Sequence, residues 1–426
     1  MRPLPFHPGP DRAAALDAAD ALAPFRRMFE LPRAGARKLV YLCGHSLGPM
    51  PRRARKEVER ELERWSERGV EGHFDDAGGW FSYHERFSAP LASLVGAKPR
   101  EVVAMGSLTA NLHLMLVSFS RPQRKRRKIL IERGAFPSDR YAVQSQLAFH
   151  GLDPARDLVE LDGTREQSLL DVGTFERLLE RRGEEIALVL LPGVQFLTGQ
   201  ALPIGDYARI AQRFGCRAGF DLAHAIGNVP LDLHAAGADF AVWCSYKYLN
   251  AGPGAAGGCF VHERWLEADL PRFAGWWGHD KAARFAIDDR FSAIPSAEAW
   301  QLSNPPVLAL APLAASLEIF ERATMRGLRE KSVRLTGYLE ALLEHELGDR
   351  VTLSTPRDPD ARGCQLSMRV AVGARTLAHV QRALRAAGVV ADWRGDGVLR
   401  LAPAPLYTRY RDVYAAVRAL RRALEA

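Results

Sequence analysis

Short apolar runs alternate with amphipathic stretches through the middle of the chain. The runs that indicate strands lie at 129–132, 158–161, 186–191, 218–221 and 240–244. Between them, apolar residues recur at helical spacing in 169–182 and 203–214. Nearly continuous apolar strands that alternate with helices are typical of a parallel sheet with both faces covered. The pattern therefore predicts an α/β fold for this part of the chain.

The pattern changes after the pair Pro305 and Pro306. The elements that it indicates there are long helices in 307–347, strands at 364–370 and 398–401, and a helix near 376–387. A mixture of this kind favours a separate, smaller α+β domain. We expect three parts, namely an N-terminal segment at 1–71 that packs on both domains, a large domain at 72–306 and a small C-terminal domain at 307–426.

Composition is that of a soluble globular protein, with 47% hydrophobic and 25% charged residues among 426. No apolar run is long enough to span a bilayer, and the first residues resemble no signal peptide, so we expect a cytoplasmic protein. The five cysteines are odd in number and include no C-x-x-C pair. They are therefore expected to be free thiols rather than a disulfide framework or a zinc finger.

The net charge of +8 raises the question of nucleic-acid binding. The one dense basic cluster is RPQRKRRK, at 121–128, just before the apolar run at 129–132. Elsewhere the bases alternate with acids along predicted helices. We interpret the cluster as a solvated loop that enters a strand, and we predict no nucleic-acid partner.

Two predicted strands end at residues that could carry chemistry. Asp221 ends one strand, His224 follows it, and Lys247 comes shortly after the strand at 240–244. A buried lysine can form a Schiff base with an aldehyde cofactor such as pyridoxal phosphate (PLP). Asp221 could then keep the pyridine nitrogen protonated, and His224 could meet the phenolate oxygen. A zinc site at Asp221 and His224 is a weaker alternative without a third ligand at a usual spacing, and no metal site is predicted.

Two further stretches could bind such a cofactor. In GSLTANLHLMLVSF, Leu108 and Thr109 open a helix whose first amides could hold a phosphate. In AFPSD, Phe136 could stack on the pyridine ring, while Ser138 or Asp139 could reach its polar groups. Taken alone, the first stretch is an ordinary helix start and the second an ordinary turn.

The chain resembles the kynureninase family along nearly its whole length. The segments that carry the resemblance are YLCGHSLGPMP, AFPSD, FDLAHAIGNV, WCSYKYLNAGPG, GWWGHD, LSNPP and RLAPAPLY. Kynureninases are homodimers of the PLP-dependent type I fold with shared active sites. The resemblance implies hydrolysis of L-kynurenine or 3-hydroxy-L-kynurenine to anthranilate or 3-hydroxyanthranilate plus L-alanine. That reaction belongs to tryptophan catabolism and to the synthesis of NAD precursors.

The resemblance also implies roles for individual residues. Lys247 is the lysine that binds the cofactor and the general base, and Tyr246 beside it is the candidate proton relay. The implied cofactor contacts are Leu108, Thr109, Phe136, Pro137, Ser138, Asp139, Asp221, His224, Tyr246, Trp276 and Asn304. Trp276 or Asn304 is expected from the partner subunit. The implied substrate contacts are Ser46, His73, His279, Asn304 and Arg400, the last of which binds the substrate carboxylate.

Substrate choice and reaction class leave alternatives open. The combination of His73 with Ser303 and Asn304 resembles kynureninases that accept the 3-hydroxylated substrate. His45 departs from the family's usual Asn in G-N-S-L-G. A cysteine desulfurase or an aminotransferase of the same fold is the nearest rival, and a desulfurase would need a mobile cysteine such as Cys364. A dinucleotide-binding protein that uses the glycines at 252–258 is a weaker alternative.

Overall fold

The computed structural model describes residues 9–75, 78–164, 168–286, 289–372, 376–395 and 397–425. Its α-helices, in chain order, are α1 Pro10–Ala18, α2 Ala54–Arg68, α3 Ser88–Val95, α4 Leu108–Phe119, α5 Pro137–Phe149, α6 Pro154–Asp157, α7 Val172–Arg182, α8 Ile204–Arg213, α9 Leu233–Ala236, α10 Val307–Ala323, α11 Met325–Leu347, α12 Leu377–Ala386 and α13 Tyr410–Glu425. Among the described residues, none of these helices is both long and apolar enough to cross a membrane.

A seven-stranded sheet forms the centre of the molecule. Its strands are β1 Val102–Met105, β2 Lys128–Glu132, β3 Leu158–Leu161, β4 Ile186–Pro192, β5 Arg217–Asp221, β6 Phe240–Cys244 and β7 Gly257–Val261. They lie in the order β1-β7-β6-β5-β4-β2-β3, and β7 alone runs antiparallel to the other six strands. The predicted α/β fold with a mostly parallel sheet is confirmed.

Helices cover both faces of this sheet. Successive residues of β4 alternate between two apolar clusters, with Val189 and Leu191 in one and Leu188 and Leu190 in the other. Every residue of β6 and β7 is buried. Burial on both faces explains why these strands read as continuous apolar runs in the sequence.

The C-terminal part forms a second, antiparallel sheet. Its strands are β8 Val351–Leu353, β9 Leu366–Val370, β10 Asp392–Arg394 and β11 Val398–Leu401, in the order β8-β9-β11-β10. A third apolar cluster joins this sheet to α11, α12 and α13. The short strands β8 and β10 had not been predicted, because three residues, none of them buried, carry little periodicity.

The N-terminal segment contacts both of these bodies. Its short strand Val40–Tyr41 pairs in parallel with Val389–Val390, next to the small sheet. Phe29 belongs to the cluster of the large sheet, and Leu42 belongs to that of the small sheet. Other two-residue strands of this segment pair with each other, Phe29–Glu30 with Met50–Pro51 and Arg33–Ala34 with Arg37–Lys38.

The boundaries 1–71, 72–306 and 307–426 stay a proposal. The long helical region that begins after Pro306 is two helices, because Thr324, with φ 59°, ends α10 and caps α11. Leu313 and Phe320 of α10 pack into the cluster of the large sheet. This helix therefore joins the small domain to the large one rather than belonging to one core.

The structure also corrects the strand and helix limits. β1 and β7 were missed, the latter because it begins with Gly257 and Gly258. A side chain at Gly258 would lie 2.5 Å from the ring of Trp243 in β6, so the glycine is needed for strand packing. The helix expected at 169–182 begins only at Val172, where Asp171 accepts the N–H of Thr174 at 2.7 Å.

We expect Phe175→Ala to lower the free energy of unfolding by about 3–5 kcal/mol. Phe175 is fully buried in α7 and lies 4.9 Å from the ring of Tyr207 in α8, so its removal leaves a cavity. Urea denaturation measures the change. The control Phe149→Ala removes a ring that is 73% exposed and should change stability by less than about 0.5 kcal/mol. Equal losses in the two variants would contradict this assignment of the core.

Candidate active site

Lys247 and Asp221 lie at the carboxyl ends of two neighbouring parallel strands. Asp221 is the last residue of β5, and Lys247 follows β6 by three residues. Both side chains are buried, with 8% of Lys247 and 7% of Asp221 exposed. The Lys247 Nζ lies 5.7 Å from the centroid of the Phe136 ring. Parallel strand ends are where ligands bind in open α/β sheets.

These residues line one small cavity. Its walls are Glu132, Phe136, Asp139, Pro192, Val194, Phe196, Asp221, Ala223, His224 and Lys247. Five of them had been predicted from the sequence as cofactor contacts, so the fold brings together residues that are far apart in the chain. The Phe136 ring also meets Phe196 edge-on, with 5.3 Å between centroids, and this contact fixes its orientation.

Three carboxyl groups line the cavity, those of Glu132, Asp139 and Asp221, and their negative charges would repel one another if all three were ionised. Burial raises the pKa of Glu132 to about 8, although Gln195 donates a hydrogen bond to it at 3.3 Å. Burial also raises the pKa of Asp139 well above its usual range, and the neighbouring Asp221 carboxylate raises it further. Asp221 accepts the N–H of Ala223 at 2.7 Å. Since the raised pKa values of Glu132 and Asp139 favour their neutral forms, Asp221 is the candidate to face a positively charged ligand atom.

His224 faces the same cavity as a neutral imidazole. Burial lowers its pKa well below the usual value, and the charge of Lys247 lowers it further. Asn228 donates a hydrogen bond to the His224 carbonyl at 2.8 Å and so holds its backbone. The ring Nδ1 is buried and has no hydrogen-bond partner among the described residues, which leaves it free to bind a polar ligand atom.

The segment around Ser46 packs directly on the loop that carries Tyr246 and Lys247, which we call the lysine loop. The Gly48 N–H donates to the Tyr246 carbonyl at 2.8 Å, and a side chain at Gly48 would lie 2.4 Å from the Lys247 carbonyl. Ser46 is exposed at the surface of this turn. Tyr246 is half-buried, and its pKa is raised by burial and by the neighbouring Cys244, so its hydroxyl keeps its proton.

A second group of predicted residues meets at the start of α4. The Thr109 and Ser138 hydroxyls lie 2.6 Å apart although they come from different helices. Ser107 does not cap α4 with its side chain, so the amides at Leu108 and Thr109 remain available to an anion. Gly106, with φ 48°, is required here because a side chain would lie 2.3 Å from Asn111 Oδ1. Pro137, the first residue of α5, lies exposed.

Arg400 reaches the site from the small sheet. It lies in β11, is only 1% exposed, and its Nε donates to Asp392 Oδ2 at 2.6 Å. Its Nη1 donates to the carbonyl of Phe196, a wall of the cavity, at 2.6 Å. His45, the departure from the family pattern, is fully buried with its Nε2 3.7 Å from the same Asp392 oxygen.

The other predicted substrate contacts lie elsewhere on the protomer. His73 and Asn304 line a surface groove with Trp65, Trp80 and Pro305. In the described part of the chain, neither of them is among the residues that line the Lys247 cavity.

Beside this groove lies an aromatic cluster, which we define as Phe74, Phe81, Trp276, Trp277 and Phe285. Trp276 is 46% exposed and Phe285 60% exposed. His279 is buried near this cluster, where its Nδ1 accepts the N–H of Ser292 at 2.9 Å. The structure therefore does not bring Trp276 or His279 to the Lys247 cavity within one protomer.

Sequence reasoning missed Glu132, Gln195, Phe196 and Asp392. Glu132 ends β2 just as Asp221 ends β5, so the rule that chemistry follows each apolar run could have identified it. Gln195 and Phe196 belong to the loop after β4 and satisfy the same rule. Asp392 had no such signal, because its role depends on its place directly opposite Arg400 in the small sheet.

The donor set fits PLP. An aldehyde needs a buried lysine, a pyridine nitrogen needs a carboxylate, and a phosphate needs free amides with hydroxyls. Lys247 is the buried lysine, Asp221 is the carboxylate, and the start of α4 at Leu108 and Thr109 offers the amides. Buried polar atoms without described partners, Asp139 Oδ1 and His224 Nδ1, are available to the cofactor's remaining polar atoms.

The structure does not support the alternative functions, namely a desulfurase, a dinucleotide-binding protein or a nucleic-acid-binding protein. Cys364 is 1% exposed and its N–H is bound to Asn228, so it does not lie on a mobile loop. A dinucleotide-binding fold requires a helix after its glycine-rich turn. Here the glycines at 252–258 lead into the antiparallel strand β7. In the basic cluster, Arg127 pairs with Asp157 and Lys128 with Glu185.

Solved structures with the same fold were found. A cysteine desulfurase of Escherichia coli is similar with a TM-score of 0.77 and 19% identity, covering 95% of this chain and 98% of its own. C-DES, solved with glycine covalently linked to PLP, has a TM-score of 0.77 and 18% identity, covering 93% and 98%. These likenesses confirm the PLP-dependent type I fold, and at such identity they show the fold alone.

Much closer relatives were found by sequence. Residues 328–420 match the kynureninase C-terminal domain. The chain is 52% identical over 402 residues to the kynureninase of Xanthomonas oryzae pv. oryzae, covering 94% of this chain and 95% of the relative. The kynureninase of Xanthomonas campestris pv. campestris is similar with the same identity and coverage. Identity of this level over nearly the whole length means that the chain belongs to the kynureninase family of PLP-dependent enzymes.

Proposed function

We propose that this protein hydrolyses L-kynurenine, 3-hydroxy-L-kynurenine or both, giving anthranilate or 3-hydroxyanthranilate plus L-alanine. The observation that carries the proposal is the buried Lys247 beside Asp221 and Phe136, in a chain of the kynureninase family. The reaction consumes one water and breaks one carbon–carbon bond. A cytoplasmic location, with reduced cysteines, accords with five thiols that are all free and buried.

Bound PLP supplies an electron sink that stabilises negative charge on the substrate's carbon atoms. Lys247 is our candidate for the general base that removes the proton from the substrate α-carbon. Phe136 would stack on the cofactor ring, and Asp221 would pair with its pyridine nitrogen. Because Glu132 and Asp139 favour their neutral forms, the cavity does not accumulate three negative charges.

Tyr246 is our candidate for moving protons beside Lys247. Its raised pKa keeps the hydroxyl protonated, so it can donate a proton to the alanine fragment that leaves. The close packing of Gly48 on the Tyr246 carbonyl holds the backbone of this residue. Ser46 on the same turn is a candidate contact for the substrate.

Arg400 is the candidate for binding the substrate's α-carboxylate. A guanidinium binds a carboxylate through two parallel hydrogen bonds and so fixes the orientation of the α-carbon bonds. Its hydrogen bond to the Phe196 carbonyl keeps the guanidinium at the wall of the cavity. Asp392 holds it from the other side.

The aryl pocket is proposed to be completed by a second copy of the chain. Phe74, Trp276 and Phe285 of the aromatic cluster are each 46% exposed or more, which is costly in water unless another surface covers them. His73 and Asn304 lie in the groove beside it. In a homodimer with shared sites, Trp276, His279 and Asn304 would reach the partner's cavity, and His73 or Asn304 could bind a 3-hydroxyl group.

We expect the purified enzyme with PLP to form the aryl acid and alanine from at least one of the two substrates. Lys247→Ala should lower kcat by about a thousandfold or more, because it removes the general base and the covalent anchor. Chromatography of both products measures the reaction. The control Lys38→Ala removes an exposed lysine and should keep normal turnover. A protein that binds PLP but cleaves neither substrate would contradict the proposed reaction.

Arg400→Ala should raise KM for the accepted substrate at least about tenfold, because it removes a buried partner of the substrate carboxylate. Steady-state kinetics and the visible absorbance of bound PLP separate substrate binding from loss of the site. Arg382→Ala, an exposed arginine in α12, is the control and should leave KM unchanged. An unchanged KM in Arg400→Ala would exclude this residue as the carboxylate contact.

Shared sites can be tested with mixed dimers. Co-refolding Lys247→Ala with an impaired Asn304→Ala variant should restore about a quarter of wild-type activity, because half of the dimers then contain one intact site. Mixing Lys247→Ala with Arg400→Ala is the matched control. Those two residues are proposed to act in the same protomer's site, so no mixed dimer gains an intact one. Restoration in the control, or none with Asn304→Ala, would contradict the arrangement.

A further inference from the structure

His45 is a fully buried histidine whose ring lacks a hydrogen-bond partner. Its side chain is completely enclosed, and neither Nδ1 nor Nε2 has a partner among the described residues. Burial lowers the pKa of His45 to about 4, so near pH 7 the ring is neutral and carries one N–H and one lone pair. A buried polar group without a partner costs free energy, so this ring points to a partner that it meets during function.

The ring lies between the two halves of the candidate site. On one side, its centroid is 6.2 Å from that of His224, a wall of the Lys247 cavity. On the other side, its Nε2 lies 3.7 Å from Oδ2 of Asp392, the partner of Arg400. His45 therefore connects the end of the site that is proposed for the cofactor with the end that is proposed for the substrate carboxylate.

The backbone before His45 is tied to the small sheet. The Leu42 N–H donates to the Val390 carbonyl at 3.0 Å, and the Ala402 N–H donates to the Leu42 carbonyl at 2.9 Å. Val390 and Ala402 each lie two residues from a member of the ion pair between β10 and β11. Main-chain hydrogen bonds therefore set the position of the His45 ring relative to that ion pair.

One oxygen of Asp392 already has several donors. Its Oδ2 accepts hydrogen bonds from Nε and Nη2 of Arg400, and another from Nε of Arg394 at 3.2 Å. At 3.7 Å, the Nε2 of His45 is just beyond hydrogen-bond distance of the same oxygen. A movement of about 0.7 Å would bring the two atoms to a normal hydrogen bond of about 3.0 Å. The oxygen can make this movement once Arg400 releases it.

We infer that His45 becomes the partner of Asp392 when Arg400 turns to the substrate carboxylate, an inference that rests on the proposed function of Arg400. Without substrate, the guanidinium binds Asp392 and the imidazole is unpaired. In the substrate complex, the guanidinium binds the substrate and the Nε2–H of His45 donates to Asp392. The largely buried Asp392 carboxylate thus keeps a donor in both states. His45 is a positioning residue, because it acts through Asp392.

Two substitutions separate the roles of the ring nitrogens. A glutamine places its amide near the position of Nε2, whereas the shorter asparagine places its amide near that of Nδ1. His45→Gln should therefore keep KM for the accepted substrate within about twofold of wild type. His45→Asn and His45→Ala should raise KM at least about tenfold, as expected for the loss of one hydrogen bond to a charged group, and should change kcat less than about twofold. The control His345→Ala removes an exposed histidine in α11 and should leave KM unchanged.

Binding of L-alanine gives a readout that does not need turnover. Titration of the PLP-loaded enzyme with L-alanine, followed by the visible absorbance of the cofactor, measures a Kd. The Kd values should follow the same order, with His45→Gln near wild type and His45→Asn and His45→Ala weaker. A wild type that cleaves neither kynurenine but shows this order would contradict the proposed function and support the role of His45.

A double variant distinguishes positioning from direct contact. In an Asp392→Ala background, His45→Ala should leave the Kd for L-alanine unchanged, because its proposed partner is already absent. Circular dichroism checks that each variant is folded. The inference is overturned if His45→Ala weakens binding equally with and without Asp392, if His45→Asn binds as the wild type does, or if His45→Gln is as impaired as His45→Ala. A wild type whose absorbance does not respond to L-alanine would overturn it as well.

Discussion

Charge balance inside one buried cavity is the constraint on which the site depends. Lys247 brings a positive charge into a space that it shares with the carboxyl groups of Glu132, Asp139 and Asp221. Buried charges are stable only when they are paired or neutralised. The raised pKa values of Glu132 and Asp139 meet this requirement by keeping protons on two of the three acids. This leaves Asp221 for its proposed role at the cofactor nitrogen without a surplus of negative charge in the cavity.

The fold meets this constraint by bringing distant segments into contact. The antiparallel strand β7 lies between β1 and β6, and the Gly257 N–H donates to the Gly106 carbonyl at 2.9 Å. The turn that is proposed to hold the phosphate is therefore tied to the strand that follows the lysine loop. Gly48 of the N-terminal segment packs against the lysine loop. A side chain at this position would displace the Lys247 carbonyl. The lysine is thus held by the N-terminal segment as well as by the sheet.

The sequence predicted what depends on strand positions and strand ends. The five apolar runs became five central strands, and Lys247, Asp221, His224 and Phe136, each just after or at the end of such a run, line one cavity. β7 was missed because its two glycines carry no apolar signal, and the reason for one of them is the ring of Trp243 in the next strand. The pairing of Asp392 with Arg400 depends on the register of the small sheet, which no local pattern specifies. The separation of Trp276 and Asn304 from Lys247 likewise depends on tertiary packing, which no local sequence pattern specifies.

The pairing of Arg400 with Asp392 has a consequence for substrate affinity. The guanidinium is already bound to a carboxylate of its own chain before any substrate enters. In the proposed role of Arg400, Asp392 is a competing ligand that belongs to the protein itself. A substrate carboxylate that binds Arg400 would displace or share this partner, so its binding free energy would reflect the difference between two ion pairs rather than the strength of one. A substrate anchored also at its amino group would make this exchange more readily than a free anion would.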